Sequence, residues 1–247
     1  MKYIPMDELK FAAKFGFLSR KIWEKWFSKR SRTRNIRVWR SFIEEGYFKR
    51  HHDDRYKDVL HLALRGKRSL QHSGYELVSP TNIYHLNHDE IVADLALQIL
   101  GSGKIKQYWT EAELKKKNID WRKYSREGAS MKFPDLLIYC HDGKALALEI
   151  EISRKSPERY RKVLNSYSAQ TWAFQILFIA NQEVIFDRLS KAMTKVHFPT
   201  WEKPISFSWL GDCQRDVMAA NIHMAGSKTS TLNELLSIPE PEKASAA

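Results

Sequence analysis

The spacing of apolar residues predicts three short helices at the start of the chain. Apolar side chains recur at helical intervals in residues 6–15, 20–27 and 33–45. Ser19 precedes the second segment, at the position where a serine side chain caps a helix. Two extended stretches follow, residues 46–52 and 57–64, and their spacing predicts a hairpin. Three helices and a two-stranded ribbon are the element order of a winged helix-turn-helix, which we predict for residues 1–75.

The segment 72–82 contains Gly, Pro, Ser and Asn, a composition that predicts a linker. Beyond it, helical and extended patterns alternate along the rest of the chain. We predict helices over residues 88–100, 156–170 and 181–196. Strands are predicted over residues 104–110, 172–180 and 204–211, and a two-stranded hairpin over 132–155. This mixture indicates an α/β domain with a central mixed sheet over residues 83–223. Within it, residues 111–131 are predicted to be part helix and part loop, and the tail 224–247 to be mostly disordered.

The excess of positive charge is concentrated in the first third of the chain. The whole chain carries a net charge of +12, from 41 Lys and Arg against 29 Asp and Glu. Residues 1–75 hold 19 of those cations and 8 of those acids, a net charge of +11. The remaining residues are nearly balanced, as in an ordinary globular domain. A module as basic as the first one favours polyanions such as DNA.

The third predicted helix has an apolar stripe of Ile36, Trp39 and Ile43, and its arginines lie off that stripe. Arginine side chains on such a helix can bind phosphates or guanine edges in the major groove. The same basic face would suit a winged helix that binds proteins, but the charge of the module favours DNA. The predicted DNA-binding residues are Lys29, Arg30, Arg32, Arg34, Arg37, Arg40, Lys49 and Arg50.

A turn at Asp142 and Gly143 joins two apolar runs that carry three carboxylates. Asp135 begins the first run, and a tight turn sets it opposite Glu149 to Glu151 in the second. Glu149 and Glu151 share one face of their strand because side chains alternate. Carboxylates this close repel one another, so either a hard divalent cation such as Mg²⁺ or Mn²⁺ lies between them or the face is solvated.

The hairpin resembles the PD-(D/E)xK nuclease superfamily, since Pro134 and Asp135 are followed, after 13 intervening residues, by Glu149-Ile150-Glu151. The resemblance implies a restriction-endonuclease-like domain in which Asp135 and Glu149 bind a metal ion. Glu151 stands at the edge of that site, at a position where the superfamily usually has lysine. The other implied site residues are Glu111 as an upstream metal ligand, with Glu90 and Asp94 behind it, and Lys155 or Lys162 as the catalytic cation.

The order of motifs over residues 8–180 is similar to the replication-relaxation family. The basic module ends in LALRGKRSL, and His88, YWTEAEL, FPDLLI, LALEIEIS and a helix with Lys162 and Tyr167 follow. Within that family, a chain of this size resembles the MOB-C class of plasmid mobilisation relaxases. The resemblance implies a Mg²⁺- or Mn²⁺-dependent enzyme that nicks one DNA strand at an origin of transfer. Attack by water is favoured over attack by Tyr160 or Tyr167, which we expect to pack in the core.

The partners implied by this resemblance are double-stranded and nicked DNA at the origin of transfer, an accessory mobilisation protein and a coupling ATPase. Two alternatives stay open: a transposon-end or restriction-type endonuclease, and a non-catalytic winged-helix replication initiator or regulator. Two cysteines are too few for a disulfide framework, and Cys140 is expected to pack in the core. The chain has no apolar stretch of membrane-spanning length and no signal peptide, so we expect a cytoplasmic protein without membrane contact.

Overall fold

The protein forms two compact units, residues 1–94 and 95–247, in a computed structural model. The structure describes residues 4–29, 31–117, 132–168, 173, 175–194, 205–224 and 228–237. Each unit has its own sheet, one of three strands and one of seven. The prediction of a mixed α/β fold with a central mixed sheet is therefore confirmed.

The first unit contains the predicted helices and hairpin. Its elements are α1 (Met6–Phe15), β1 (Leu18–Ser19), α2 (Arg20–Trp26), α3 (Arg32–Glu44), β2 (Phe48–Arg50), β3 (Val59–Leu62) and α4 (Leu64–Gln71). Ser19 caps α2 as predicted, because its side chain accepts a hydrogen bond from the Ile22 amide at 3.3 Å. The short strand β1 pairs with β3, which gives a three-stranded antiparallel sheet in the order β1-β3-β2.

The buried face of α3 differs from the predicted one. Its buried residues are Asn35, Trp39 and Phe42, whereas Ile36 and Ile43 are only partly buried. Trp39 and Phe42 occupy the interior because they pack against aromatic side chains of α2 and β2. The ring centroids in this cluster are 5.3 to 6.2 Å apart. The predicted stripe is thus wrong at two of its three positions, although the arginines of the helix remain outside.

The boundary between the units lies further along the chain than the predicted linker at 72–82. The linker segment is bound to the first unit, where the Val78 amide donates to the Ala13 carbonyl at 2.9 Å and the Thr81 hydroxyl donates to the Phe15 carbonyl at 2.9 Å. The division instead falls within the next helix, α5 (Leu86–Gly101). Glycine, proline and serine mark irregular backbone in this segment, but its hydrogen bonds make it part of the first unit.

The second unit is built on the seven-stranded sheet in the order β10-β9-β8-β7-β6-β5-β4. Its strands are β4 (Ile105–Thr110), β5 (Leu136–Cys140), β6 (Ala145–Glu151), β7 (Gln175–Ala180), β8 (Ile205–Trp209), β9 (Asn221–Met224) and β10 (Thr229–Thr231). The helices are α6 (Glu111–Lys116), α7 (Pro157–Ser168), α8 (Glu183–Met193), α9 (Leu210–Asp216) and α10 (Leu232–Leu235). β6, β7 and β8 are parallel, and the outer neighbours are antiparallel, so the sheet is mixed.

Helices α7 and α8 cover one face of this sheet. Tyr160 and Leu164 of α7, with Ile185 and Leu189 of α8, form a core cluster that includes Ala147 of β6. Side chains alternate along a strand, so every second residue of β6 after Ala147 points to the same covered face. The covered face therefore includes both glutamates at the end of β6.

The prediction of a disordered tail is wrong for residues 228–237. β10 pairs with β9, and α10 begins with a capping box in which Thr231 and Glu234 bind each other's backbone. Leu232 and Leu236 are buried, so this short tail segment contributes to the core. Residues 238–247 of the predicted tail, and 118–131 of the predicted helix and loop, lie outside the described residues.

No helix within the described ranges is long and apolar enough to cross a membrane.

Candidate functional site

The three acids of the hairpin lie on one buried face of the sheet. The register pairs Leu136 with Leu148, and extending it by one residue sets Asp135 opposite Glu149, as predicted. The turn is tight, with Gly143 at φ 85° and the Cys140 amide bound to the Lys144 carbonyl. The exposed fraction is 9% for Asp135 and 1% for both Glu149 and Glu151. These values exclude the solvated acidic face that the sequence left open.

Asp135 is held in place by backbone amides of strand β6 and of the start of helix α6. Its Oδ2 accepts a hydrogen bond from the Ile150 amide at 2.7 Å, across the hairpin. Its carbonyl accepts a hydrogen bond from the Glu111 amide at 3.2 Å. The start of α6, which a capping box at Thr110 fixes, is thereby held beside the hairpin. A backbone hydrogen bond therefore joins Glu111, the predicted upstream acid, to Asp135 of the hairpin.

Glu149 has two polar partners in the interior. The Tyr167 hydroxyl of α7 donates a hydrogen bond to Oε1, and the Lys132 ammonium forms an ion pair with the same oxygen at 3.2 Å. Burial raises the pKa of Glu149 to about 7, Lys132 lowers it in part, and Asp135 raises it again. Tyr167 packs in the core, as expected, but it also fixes the position of the carboxylate.

Lys132 is the residue that sequence reasoning missed. Its backbone amide donates to Ser166 Oγ at 2.6 Å, and its ammonium lies 4.0 Å from Glu111 Oε1. Burial lowers the pKa of Lys132, but the carboxylates of Glu149, Asp135 and Glu111 outweigh that effect and raise it, so the side chain is a cation. The available signal was its position three residues before Asp135, at the start of the hairpin strand.

The two predicted lysines have different environments. Lys155 forms an ion pair with Glu151, and burial raises the pKa of that glutamate while Lys155 lowers it. Lys162 lies on the outer side of α7 with 77% of its side chain exposed, and its ion pair is with Glu158 at 3.5 Å. The structure thus places Lys155 beside one of the three acids. Lys162 is directed to solvent.

The further acids named for the metal site belong to the first unit. Glu90 pairs with Lys21 at 3.6 Å, and Asp94 accepts hydrogen bonds from Lys25 at 2.8 Å and from the Trp26 indole at 2.7 Å. Both acids have partners in α2 of that unit.

Asp135 and Glu149 form a donor set that suits a hard divalent cation. Two carboxylates on adjacent strands are sufficient for Mg²⁺ in phosphate-processing sites, where water and substrate oxygens complete the coordination. Among the described residues, no group of three or more His, Cys, Asp or Glu side chains is placed to hold a metal ion. Asp135 and Glu149 would supply only part of the coordination of a metal ion, and water or substrate oxygens would supply the rest.

The predicted DNA-binding residues are displayed on the surface of the first unit. The exposed side chains are Lys29, Arg32, Arg34, Arg37, Arg40, Lys49 and Arg50, and Arg30 lies outside the described residues. They come from α3, from the residue stretch before it and from β2.

No protein-family model matches this chain, and no curated protein does.

Proposed function

We propose that the protein is a metal-dependent DNA endonuclease that nicks one strand at an origin of transfer, as a relaxase of plasmid mobilisation. One observation carries the proposal: Asp135 and Glu149 lie opposite each other on a buried face, with the Lys132 cation against Glu149. Carboxylates and a cation gathered at the end of a hairpin are suited to a phosphodiester substrate. The order of motifs along the chain favours the relaxase over other nucleases.

In this proposal, Asp135 and Glu149 would hold Mg²⁺ or Mn²⁺, with Glu111 next to them. The metal would polarise the scissile phosphate and lower the pKa of a bound water. Tyr167 orients Glu149 by its hydrogen bond, and the Ile150 amide orients Asp135. Lys132 supplies the positive charge that the superfamily usually takes from the position of Glu151. Lys155 instead neutralises Glu151.

The first unit would bind the DNA that the second unit cuts. Its helix, strand, helix, helix, strand, strand order supports a winged helix, and its exposed arginines support contact with phosphates and base edges. The expected setting is the cytoplasm, with an accessory mobilisation protein and a coupling ATPase as partners. The motif order supports this location and these partners, which are proposals just as the activity is.

The activity is tested on a supercoiled plasmid that carries the DNA flanking the gene of this protein. With Mg²⁺ or Mn²⁺, the purified protein should convert the plasmid to open circles. Linear products would favour a transposon-end or restriction-type endonuclease instead. If neither divalent ion gives any cleavage, the enzyme proposal is wrong.

A non-catalytic DNA-binding initiator or regulator is the second candidate. It is favoured by the ion pair of Lys132 with Glu149, which already neutralises one of the two proposed ligands. Sequence-specific binding that weakens steeply with salt, with no cleavage by any divalent ion, would be its signature.

A further inference from the structure

A pocket of about 210 Å³ opens in the first unit beside α3, and basic side chains surround it. Its apolar lining consists of Ile36 and Trp39, and Trp39 is 4% exposed and packed against Trp23. Its polar lining consists of Arg20, Arg40, Arg50, Lys57 and Asp58. These residues come from the first turn of α2, from α3, from β2 and from the segment before β3, so four separate parts of the chain converge on one cavity.

Within the described residues, three of the four cations in this pocket have no acidic partner. Arg20 is neutralised by Glu24 at 2.8 Å and lies 4.0 Å from Asp58. No ion pair joins Arg40, Arg50 or Lys57 to any acid in the described part of the chain. Like charges that face one another across a small cavity repel, and an anion placed between them removes that cost.

We propose that this pocket binds one phosphate of the DNA backbone, an inference that rests on the DNA-binding part of the proposed function. Phosphate fits the lining better than a carboxylate does, because its oxygens can accept from two guanidinium groups and an ammonium at once. The wall is preorganised, since Trp39 is fixed in the aromatic core and the Arg20 amide is bound to the Asp58 carbonyl at 2.8 Å. Binding would therefore order the long cationic side chains but would not require the wall behind them to move.

The nucleic acid is a better source of this phosphate than a small anion. Arg37 continues the exposed positive surface of α3 on the turn before Arg40, outside the pocket, whereas Arg34 lies beside a second cavity with Val38 and Ser41. A polyanion can occupy the pocket and Arg37 together, whereas a free phosphate gains only the pocket. The proposal adds Arg20 and Lys57 to the DNA-contacting residues and gives Arg40 and Arg50 a shared target.

The test measures binding of the whole protein to a fluorescent DNA duplex of random sequence, without metal, over a series of salt concentrations. Arg50→Gln and Lys57→Gln should each weaken binding and reduce the slope of log affinity against log salt by about 1, the value for one lost phosphate contact. The matched controls are Arg68→Gln and Lys67→Gln, which alter exposed basic residues of α4 outside the pocket. They should retain the wild-type slope. All four sites are exposed, and equal melting temperatures will show that the variants are folded.

The proposal is overturned if the pocket variants and the α4 controls have the same slopes, or if the wild type does not bind duplex DNA. Competition separates the sources of the anion: excess DNA should displace the labelled duplex, whereas inorganic phosphate and an acidic peptide at equal charge concentration should not. Equal displacement by the peptide would mean a protein partner and would reject the proposal. Binding is scored without cleavage, so an inactive wild type with sensitive pocket variants would reject the nuclease and retain the pocket.

Discussion

At the scale of single residues, each buried acid of the hairpin is compensated by a different neighbour. Asp135 accepts from a backbone amide, Glu149 faces Lys132 and Tyr167, and Glu151 faces Lys155. A buried carboxylate is tolerated in the interior when it is paired or hydrogen-bonded. The arrangement is costly compared with an apolar hairpin, which argues that the acids serve a purpose other than stability.

The first prediction concerns the cation beside Glu149. Lys132→Met should lower the free energy of unfolding by about 3 kcal/mol at a pH above 7, because it leaves a buried carboxylate without its counter-charge. Urea unfolding would measure the change. Lys144→Met is the matched control, since Lys144 forms an exposed ion pair with Asp142 at 2.9 Å in the same hairpin.

The control should leave the free energy of unfolding nearly unchanged. Combining Lys132→Met with Glu149→Gln should recover most of the loss, because the second change removes the charge that was left unpaired. If Lys132→Met alone were as stable as the Lys144→Met control, the buried ion pair would not contribute to the fold.

The second prediction is a pH dependence of stability. In the folded protein, burial raises the pKa of Glu149 to about 7, against 4.5 for a free glutamate. Between these values the folded chain binds more protons than the unfolded chain, so the free energy of unfolding should fall as the pH rises from about 4.5 to 7. Glu149→Gln should remove this part of the slope in urea unfolding series. Glu158→Gln, at an exposed position on α7, should retain it.

The sequence was informative about individual acids and much less so about their counter-charges. Strand alternation and the Asp142-Gly143 turn are local rules, so they located Asp135 and Glu149 and their pairing correctly. Lys132 meets Glu149 through tertiary contacts with α6 and α7, and no local spacing connects residues 132 and 149. Lys162 is implied by the resemblance rather than by local spacing, and its side chain points to solvent.

At the scale of elements, helix α4 was missed as a helix because its sequence, LRGKRSLQ, is basic and contains a glycine. The fold explains that glycine. A Cβ at Gly66 would stand 2.3 Å from the Tyr47 carbonyl oxygen and 2.9 Å from Leu9 Cδ2. The helix can therefore approach the chain after α3 only because the position has no side chain.

The third prediction follows from that close approach. Gly66→Ala should destabilise the first unit by more than 1 kcal/mol, although alanine is the better helix former, because backbone atoms must move apart. Gly101→Ala is the control: it changes the last residue of α5, where a Cβ would meet nothing within 4 Å. Thermal unfolding should show a clear loss for the first variant. An unchanged or higher melting temperature for Gly66→Ala would mean that α4 does not pack as closely as described.

Elements with strong local signals were predicted, and the short or polar strands were not. Helices α1, α2, α7 and α8 have clear periodicity or caps within their own sequences. By contrast, β1 is two residues long and is a strand only because it pairs with β3. β9 and β10 are short polar strands at the end of the sheet, and three or four residues are too few to show a clear alternation of apolar and polar side chains. Hydrogen bonds to neighbouring strands, distant in sequence for β1 and local for β10, supply what these segments lack.

At the scale of the whole molecule, the two units place their charged side chains differently. The first unit, residues 1–94, displays arginines on α3 and β2 and holds 19 Lys and Arg against 12 Asp and Glu. The second unit buries the three acids of the hairpin on a sheet face that helices cover. The proposed function therefore assigns recognition of DNA and chemistry on DNA to separate sets of residues, which makes its two parts experimentally separable.

The last prediction uses that separation. Asp135→Asn should abolish nicking of the supercoiled plasmid while leaving duplex affinity within about twofold, because the amide keeps the shape of the carboxylate and can still accept from Ile150. Asp142→Asn, at the exposed turn of the same hairpin, should nick at the wild-type rate. Arg50→Gln should show the opposite pattern, with weaker binding and a nicking rate that recovers at saturating DNA. A loss of nicking in Arg50→Gln that saturating DNA does not restore would contradict the division, since it would place a residue of the first unit in the chemistry itself.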